Sequence, residues 1–443
     1  MSEWTNVALA DIADIRFSNV DKKTIHGEVP VRLCNYMDVY GNDYITANLQ
    51  FMEASATHAE IERFRVECGD VIVTKDSETP DDIGIPAVVV DEIANLVCGY
   101  HLVLIKPHRE KIDSIYLAKQ LSSKPIAARF AQLANGSTRY GLSSSAIAST
   151  TVPLAPRAQQ CRIAEILSTL DDAIEQTAAL IAKHQQIKAG LMHDLFTRGV
   201  TPDGHLRPTR EQALDLYKES PLGWIPKEWQ YELLDDLAVR GSGHTPNKNF
   251  PEYWNGGIKW ISLADSYRLD RLYIADTEYE ISQLGIQNSS AVVHPAGTVV
   301  LSRDAGVGKS AITTQPMAVS QHFMCWRCDG RLNKHFLYYW LQFKKRMFEN
   351  IAMGSTILTI GLPYFKKLKI AAPKDAEEQQ MIGDSLLSAD EQIFSLEADL
   401  EKIKQQKHGL MHDLLTGCVR VPLAKTKEVS TMAHAPSDLE PNT

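Results

Sequence analysis

The run Leu191-Met192-His193-Asp194-Leu195 recurs as Leu410-Met411-His412-Asp413-Leu414, 219 positions further along the chain. The same offset sets Ile163, Leu167, Leu170, Ile174, Ile181 and Leu191 opposite Ile382, Leu386, Ala389, Ile393, Leu400 and Leu410. Within each set the steps are combinations of four and three residues, the spacing of one apolar seam along a heptad helix. This predicts two long helices, at 158–196 and 377–415, closed by Gly199 and Gly417 as C-cap residues. About 40 residues rising 1.5 Å each span roughly 60 Å, and a seam of that length needs a partner. Two matched seams on one chain meet at high effective concentration, so an antiparallel intrachain pair is expected ahead of a homodimer or a larger bundle. In the order domain, helix, domain, helix, such a pairing sends the two globular domains to opposite ends.

The globular parts repeat as well, with insertions that change the offset. Trp4, Leu9, Asp11, Ile12 and Ala13 match Trp229, Leu234, Asp236, Leu237 and Ala238. The run from Gly69 to Asp76 parallels Gly297 to Asp304, and Gly136-Ser137-Thr138 parallels Gly354-Ser355-Thr356. β-Branched runs such as DVIVTKD and GTVVLSRD predict strands, and IYLAKQL and HFLYYWLQFKKRMFENIA predict helices. The expected class is therefore α+β: two similar globular domains, at 1–152 and 223–373, with spacer helices at 153–199 and 374–419. Residues 200–222, rich in Pro and charge, read as a linker, and 420–443 as a disordered tail.

Composition narrows the functional classes. The formal charge of −9 argues against a uniformly basic coating protein, although 223–373 carries roughly four more basic than acidic residues, and 1–152 roughly six more acidic than basic. The start lacks a basic, then apolar leader, and no apolar run is long enough to span a bilayer, so a cytoplasmic protein without membrane contact is expected. The seven cysteines are scattered and odd in number, consistent with reduced thiols. Cys325 and Cys328 form a C-x-x-C, but a structural zinc needs a second ligand pair, and HFMCWRC alternates like a strand, so no metal site is expected.

Nor does a catalytic constellation emerge. Gly306-Val307-Gly308-Lys309-Ser310 ends like a P-loop, but the position that needs its first glycine holds Arg303. His193-Asp194 and His412-Asp413 fall on helix surfaces inside the duplicated end motif, where a polar patch facing solvent or a partner is the expected role. What the loops offer suits a nucleic acid instead. Gly241 to Lys248 supplies backbone donors, hydroxyls and a cation, the groups that fix register on phosphates. Arg303, Lys309, Arg139 and Asn35 are of types that read base edges. The expected DNA-facing set is Asn35, Lys75, Ser137, Arg139, Ser242, His244, Thr245, Asn247, Lys248, Arg303, Lys309, Ser355 and Thr356, with Lys309 facing a phosphate from a Gly-rich turn.

Two stretches resemble the specificity subunits of type I restriction-modification enzymes. One is Gly241-Ser242-Gly243-His244-Thr245-Pro246 followed by Tyr253-Trp254-Asn255-Gly256-Gly257-Ile258-Lys259-Trp260-Ile261-Ser262. The other runs from Glu378-Gln379-Gln380 to Leu414-Leu415-Thr416-Gly417. The resemblance implies two target recognition domains, each reading one half of a bipartite asymmetric site in double-stranded DNA, held apart by two spacer helices. It also implies partners: two modification (methyltransferase) subunits and, for cleavage, restriction (motor-nuclease) subunits. S-adenosylmethionine, ATP and magnesium would bind those partners, leaving this chain without cofactor or catalysis. Two features depart from the family pattern: the first helix begins Ala158-Gln159-Gln160 without the acid that Glu378 supplies, and the first domain lacks the G-x-T-P turn. The competing readings are a coiled-coil adaptor for protein partners and an enzyme built around Lys309.

Overall fold

The computed structural model describes residues 4–354 and 358–422. The chain forms two compact units, one of residues 1–177 with 399–443 and one of 178–398. The long helices run Arg157–Arg198 and Ala376–Leu415. Each unit thus combines one globular domain with a stretch of both helices.

The globular domain of the first unit is built on a mixed five-stranded sheet in the order Ala13–Phe17, Leu102–Pro107, Val71–Thr74, Pro86–Val89, Tyr44–Ile45. The second unit repeats it as Ala238–Ser242, Phe323–Cys328, Val299–Ser302, Ser310–Thr313, Tyr273–Ile274. In both, the last strand pairs parallel and the rest antiparallel. The central strands Val71–Thr74 and Val299–Ser302 are buried at every residue, which is why they begin as β-branched and apolar runs, closed by a hydroxyl residue, and do not alternate.

A second small sheet holds Val29–Cys34 between Met52–Ala56 and Leu96–Cys98, and its counterpart is centred on Trp254–Ile261. Antiparallel pairs Thr5–Ala8 with Thr151–Leu154, and Trp229–Leu233 with Lys369–Pro373, close each domain where its long helix begins.

The expected seam residues divide by role. Ile163 and Leu167 are fully buried in the core of the first domain beside Leu9, Tyr116, Phe130, Leu414 and Leu415, with Leu170 and Leu410 packed against it. Ile382 and Leu386 are buried likewise in the second, with Leu195, Phe196, Trp229 and Phe336, and Leu191 lies against that core. These positions therefore pack onto sheets and short helices as well as onto the other long helix. Ile181 and Ile393 are buried, while Ile174 and Leu400 are half-buried.

In each unit the helix stretches run antiparallel: Ile163 and Leu167 share a core with Leu414 and Leu415 where Asp171 meets Lys407, and Leu195 meets Ile382 where Lys188 meets Asp390. Gly199 and Gly417 end the helices in the left-handed region, at φ of 63° and 74°.

The segment read as a linker is ordered and built into the second unit. Tyr217–Ser220 forms a hairpin with Gly223–Pro226. Arg207 lies buried on the Glu378 carboxylate, which also accepts hydrogen bonds from the Trp229 indole at 3.0 Å and from the Val200 backbone at 3.0 Å. Local composition suggests a linker because the partner that neutralises Arg207 lies about 170 residues away. Of the expected tail, Arg420 to Pro422 are described, with Val421 buried in the first domain's core, and 423–443 lie outside the described residues.

Candidate nucleic-acid interface

In both domains the central buried strand ends in a cation followed by an aspartate: Lys75-Asp76 after Val71–Thr74, and Arg303-Asp304 after Val299–Ser302. The neighbouring strand is preceded by a histidine, His101 or His322. The ladder brings the two together, because the Lys75 N–H donates to the His101 carbonyl at 3.1 Å and the Arg303 N–H to the His322 carbonyl at 2.9 Å. Each aspartate then reaches the adjacent ring. Asp76 Oδ2 lies 2.8 Å from His101 Nδ1, and Asp304 Oδ2 lies 2.7 Å from His322 Nδ1. The cations complete the cluster, Lys75 Nζ at 3.0 Å from Asp76 and Arg303 Nε at 3.4 Å from Asp304. An ionised carboxylate only accepts, so each histidine donates its Nδ1–H to the aspartate.

Around this shared base the loops differ. In the first domain Tyr100 is exposed, its ring 3.9 Å from that of His101 and 5.2 Å from the Lys75 ammonium. Beside it, Asn135–Gly136 pairs with Tyr140–Gly141, which pairs in turn with Asp76–Ser77. Ser137 and Arg139 sit exposed at the tip of that hairpin. Gly136, at φ of 151°, admits no side chain there, since a Cβ would fall 1.8 Å from the Arg139 carbonyl oxygen.

In the second domain Gln321 takes the place of Tyr100. It bonds Thr245 Oγ1 at 2.6 Å and His322 Nε2 at 3.3 Å. His244, Asn247 and Lys248 are exposed on the loop that carries Thr245, and Ser242 ends the strand leading into it. Side chains hold the loop's backbone: the His244 carbonyl accepts from the Trp260 indole at 3.1 Å, and Asn247 Oδ1 from the Asn249 N–H at 3.0 Å.

Three expected readers have other positions. Lys309 does not face outward from its turn, because its ammonium donates to the Ser266 carbonyl at 3.1 Å and lies 3.3 Å from the Ser266 hydroxyl. Arg303, its side chain largely buried, is held on Asp304 within the cluster. Asn35 precedes the short helix Tyr36–Tyr40 as its N-cap residue, and its backbone N–H donates to Asp38 Oδ2 at 2.7 Å. Ser355 and Thr356 lie outside the described residues. Sequence reasoning missed His101, His322, Gln321 and Tyr100. The signal was present as a matched pair of Asp–His combinations, but their separation differs between copies, and only the strand ladder makes them equivalent.

The duplicated end motif lines two recesses that include none of the residues of the Asp–His clusters. His412 and Asp413 line a groove of about 760 Å³ with Ile126 and Arg129, whereas His193 and Asp194 line a recess of about 390 Å³ bounded by Arg210, Tyr217 and Trp224 of the ordered arm.

A duplicated α+β domain presenting polar, cationic and aromatic groups on variable loops defines a recognition protein. The family model of the type I restriction modification DNA specificity domain matches residues 1–184 and 226–405. The putative type I restriction enzyme MjaX specificity subunit of Methanocaldococcus jannaschii is 22% identical over 425 residues, 95% of this chain and 94% of the relative. The MjaIX specificity subunit of the same organism is 30% identical over 179 residues, a match that spans only 40% of this chain and 41% of that relative. Among solved structures, the type I restriction-modification S subunit from M. genitalium superposes with a TM-score of 0.58 at 14% identity, covering 94% of this chain and 96% of the other, a likeness of fold. The chain belongs to the type I restriction-modification DNA specificity family, and its role is to supply DNA sequence specificity.

Proposed function

We propose that the chain reads a bipartite, asymmetric site in double-stranded DNA, one half with each domain. It would direct two methyltransferase subunits, and restriction subunits when cleavage occurs, to that site. The observation that carries this reading is the shared Asp–His base, with its cation Lys75 or Arg303, under unlike loops: Tyr100 and the 135–141 hairpin in one domain, Gln321 and the 244–248 loop in the other. One scaffold with two different edges suits two different tracts. Ser137, Arg139, His244, Asn247 and Lys248 are exposed and of types that contact phosphates and base edges. In this reading the chain works in the cytoplasm and performs no chemistry itself, and S-adenosylmethionine, ATP and magnesium act on the partner subunits. The test is to coexpress the chain with its methyltransferase subunits and map the methylated bases. Two short, different tracts separated by unread positions support the proposal; a single continuous tract, or methylation without sequence preference, contradicts it.

A further inference from the structure

Gln321 is held in one orientation by a chain of hydrogen bonds whose direction follows from its buried end. Asp304 accepts from His322 Nδ1 at 2.7 Å, and in the neutral ring Nε2 is then the acceptor. The Gln321 amide NH2 lies 3.3 Å from that nitrogen, placed to donate to it. Its carbonyl oxygen accordingly accepts from the Thr245 hydroxyl at 2.6 Å. Arg303 Nε lies 3.4 Å from the other oxygen of Asp304, so the carboxylate is held from both sides. An amide has two N–H donors and two acceptor lone pairs, and this network uses one of each. What remains on an exposed side chain is one donor and one acceptor.

That pair complements the N7 acceptor and N6 amino donor that adenine alone presents in the major groove. We infer that Gln321 reads an adenine in the half-site of the second domain, and that Thr245 and the Asp304–His322 pair are positioning residues that prevent its amide from flipping. The inference rests on the two-domain DNA reading above. The equivalent position in the first domain carries Tyr100 on the same Asp–His base, so this site is where one scaffold is given two different readers.

The test uses the chain assembled with its methyltransferase subunits and titrated against duplexes that carry every single-base substitution in the second half-site. Gln321→Ala should lose about tenfold to a hundredfold of discrimination at one A·T pair, leaving the first half-site and the thermal midpoint unchanged. Gln321→Glu, nearly the same size but unable to donate to N7, should lose the adenine preference at that pair. Thr245→Val should weaken discrimination at the same pair, and Thr245→Ser should restore it, which a purely structural role for Thr245 would not produce. Discrimination unchanged in both Gln321 variants, or lost at a G·C pair, overturns the inference while the wild-type complex still binds its site. A loss spread equally over all sequences would assign Gln321 to phosphate and also overturn it. A wild-type complex with no sequence preference would instead defeat the two-domain reading itself.

Discussion

Lys188 Nζ lies 2.5 Å from Asp390 Oδ1 inside the second unit, and the 219-residue offset sends this pair onto Lys407 and Asp171 of the first, also 2.5 Å apart. Each carboxylate also ties the helices to its globular domain. Asp390 accepts from the Tyr339 hydroxyl at 2.7 Å, and Asp171 accepts from Tyr44 at 2.6 Å and pairs with Lys119. Burial and these carboxylates push both tyrosine pKa values well above the ordinary one. A buried charge left without its partner is costly, so Asp390→Ala should destabilise the protein by about 3–5 kcal/mol. The double variant Asp390→Leu with Lys188→Met should recover most of that loss. Denaturant unfolding measures both, and an unchanged midpoint in Asp390→Ala would remove the pair from the account.

Where the second long helix carries the acid Glu378, the first has Gln159, which accepts from the Trp4 indole at 2.9 Å. In the second unit that acid holds Arg207 and, through it, the ordered arm. Glu378→Ala leaves Arg207 with Glu228 alone and should cost about 3–5 kcal/mol. Limited proteolysis should then cleave within 200–222 well before the wild type is cut. Equal cleavage rates would show that the arm is held by its hairpin and not by the ion pair.

Stability should fall on mild acidification. Burial lowers the pKa of His294 below its ordinary 6.5, while its bond to the Ser242 carbonyl acts the other way, and burial does the same to His335 with help from Lys334. Such a histidine is neutral when folded but binds a proton more readily when unfolded. The stability it contributes is therefore present above pH 6.5 and lost as pH falls through the folded value. Urea midpoints taken from pH 7.5 to 5 should decline, and His294→Gln should flatten part of that decline. A variant with the same slope as wild type would contradict the assignment.

The salt dependence of DNA binding should separate exposed cations from internal ones. Arg139 and Lys248 are exposed on their loops, so Arg139→Ala and Lys248→Ala should each reduce the log–log salt slope by about one unit if they neutralise a phosphate. Lys309→Ala should leave the slope unchanged and lower only the stability of the turn that the amine ties to Ser266. The reverse pattern would return the DNA surface to the Gly306–Gly308 turn.

The repeat was legible because helices carry their pattern locally. Positions 163, 167 and 170 state a period whatever else the chain does, and an identical pentapeptide fixes the offset. The destination of that seam was less legible, since nothing local tells whether Ile163 meets a helix or a sheet. Gly-rich turns misled most. Lys309 beside Gly308 looks like a phosphate ligand, but Ser266, about 40 residues earlier, takes its ammonium. The Asp–His clusters escaped because Asp76 and His101 are 25 residues apart and Asp304 and His322 only 18, a mismatch that hides the repeat until strand pairing aligns it.

The central claim is that each domain reads its own half of the site. Replacing residues 1–150 with the equivalent segment of another family member, and sequencing the methylated bases of cells that carry the chimaera with its methyltransferase subunits, tests this most directly. The expected motif changes in one tract, while the tract read by the second domain, including its adenine opposite Gln321, stays as it was. Change in both tracts, or in neither, would contradict it.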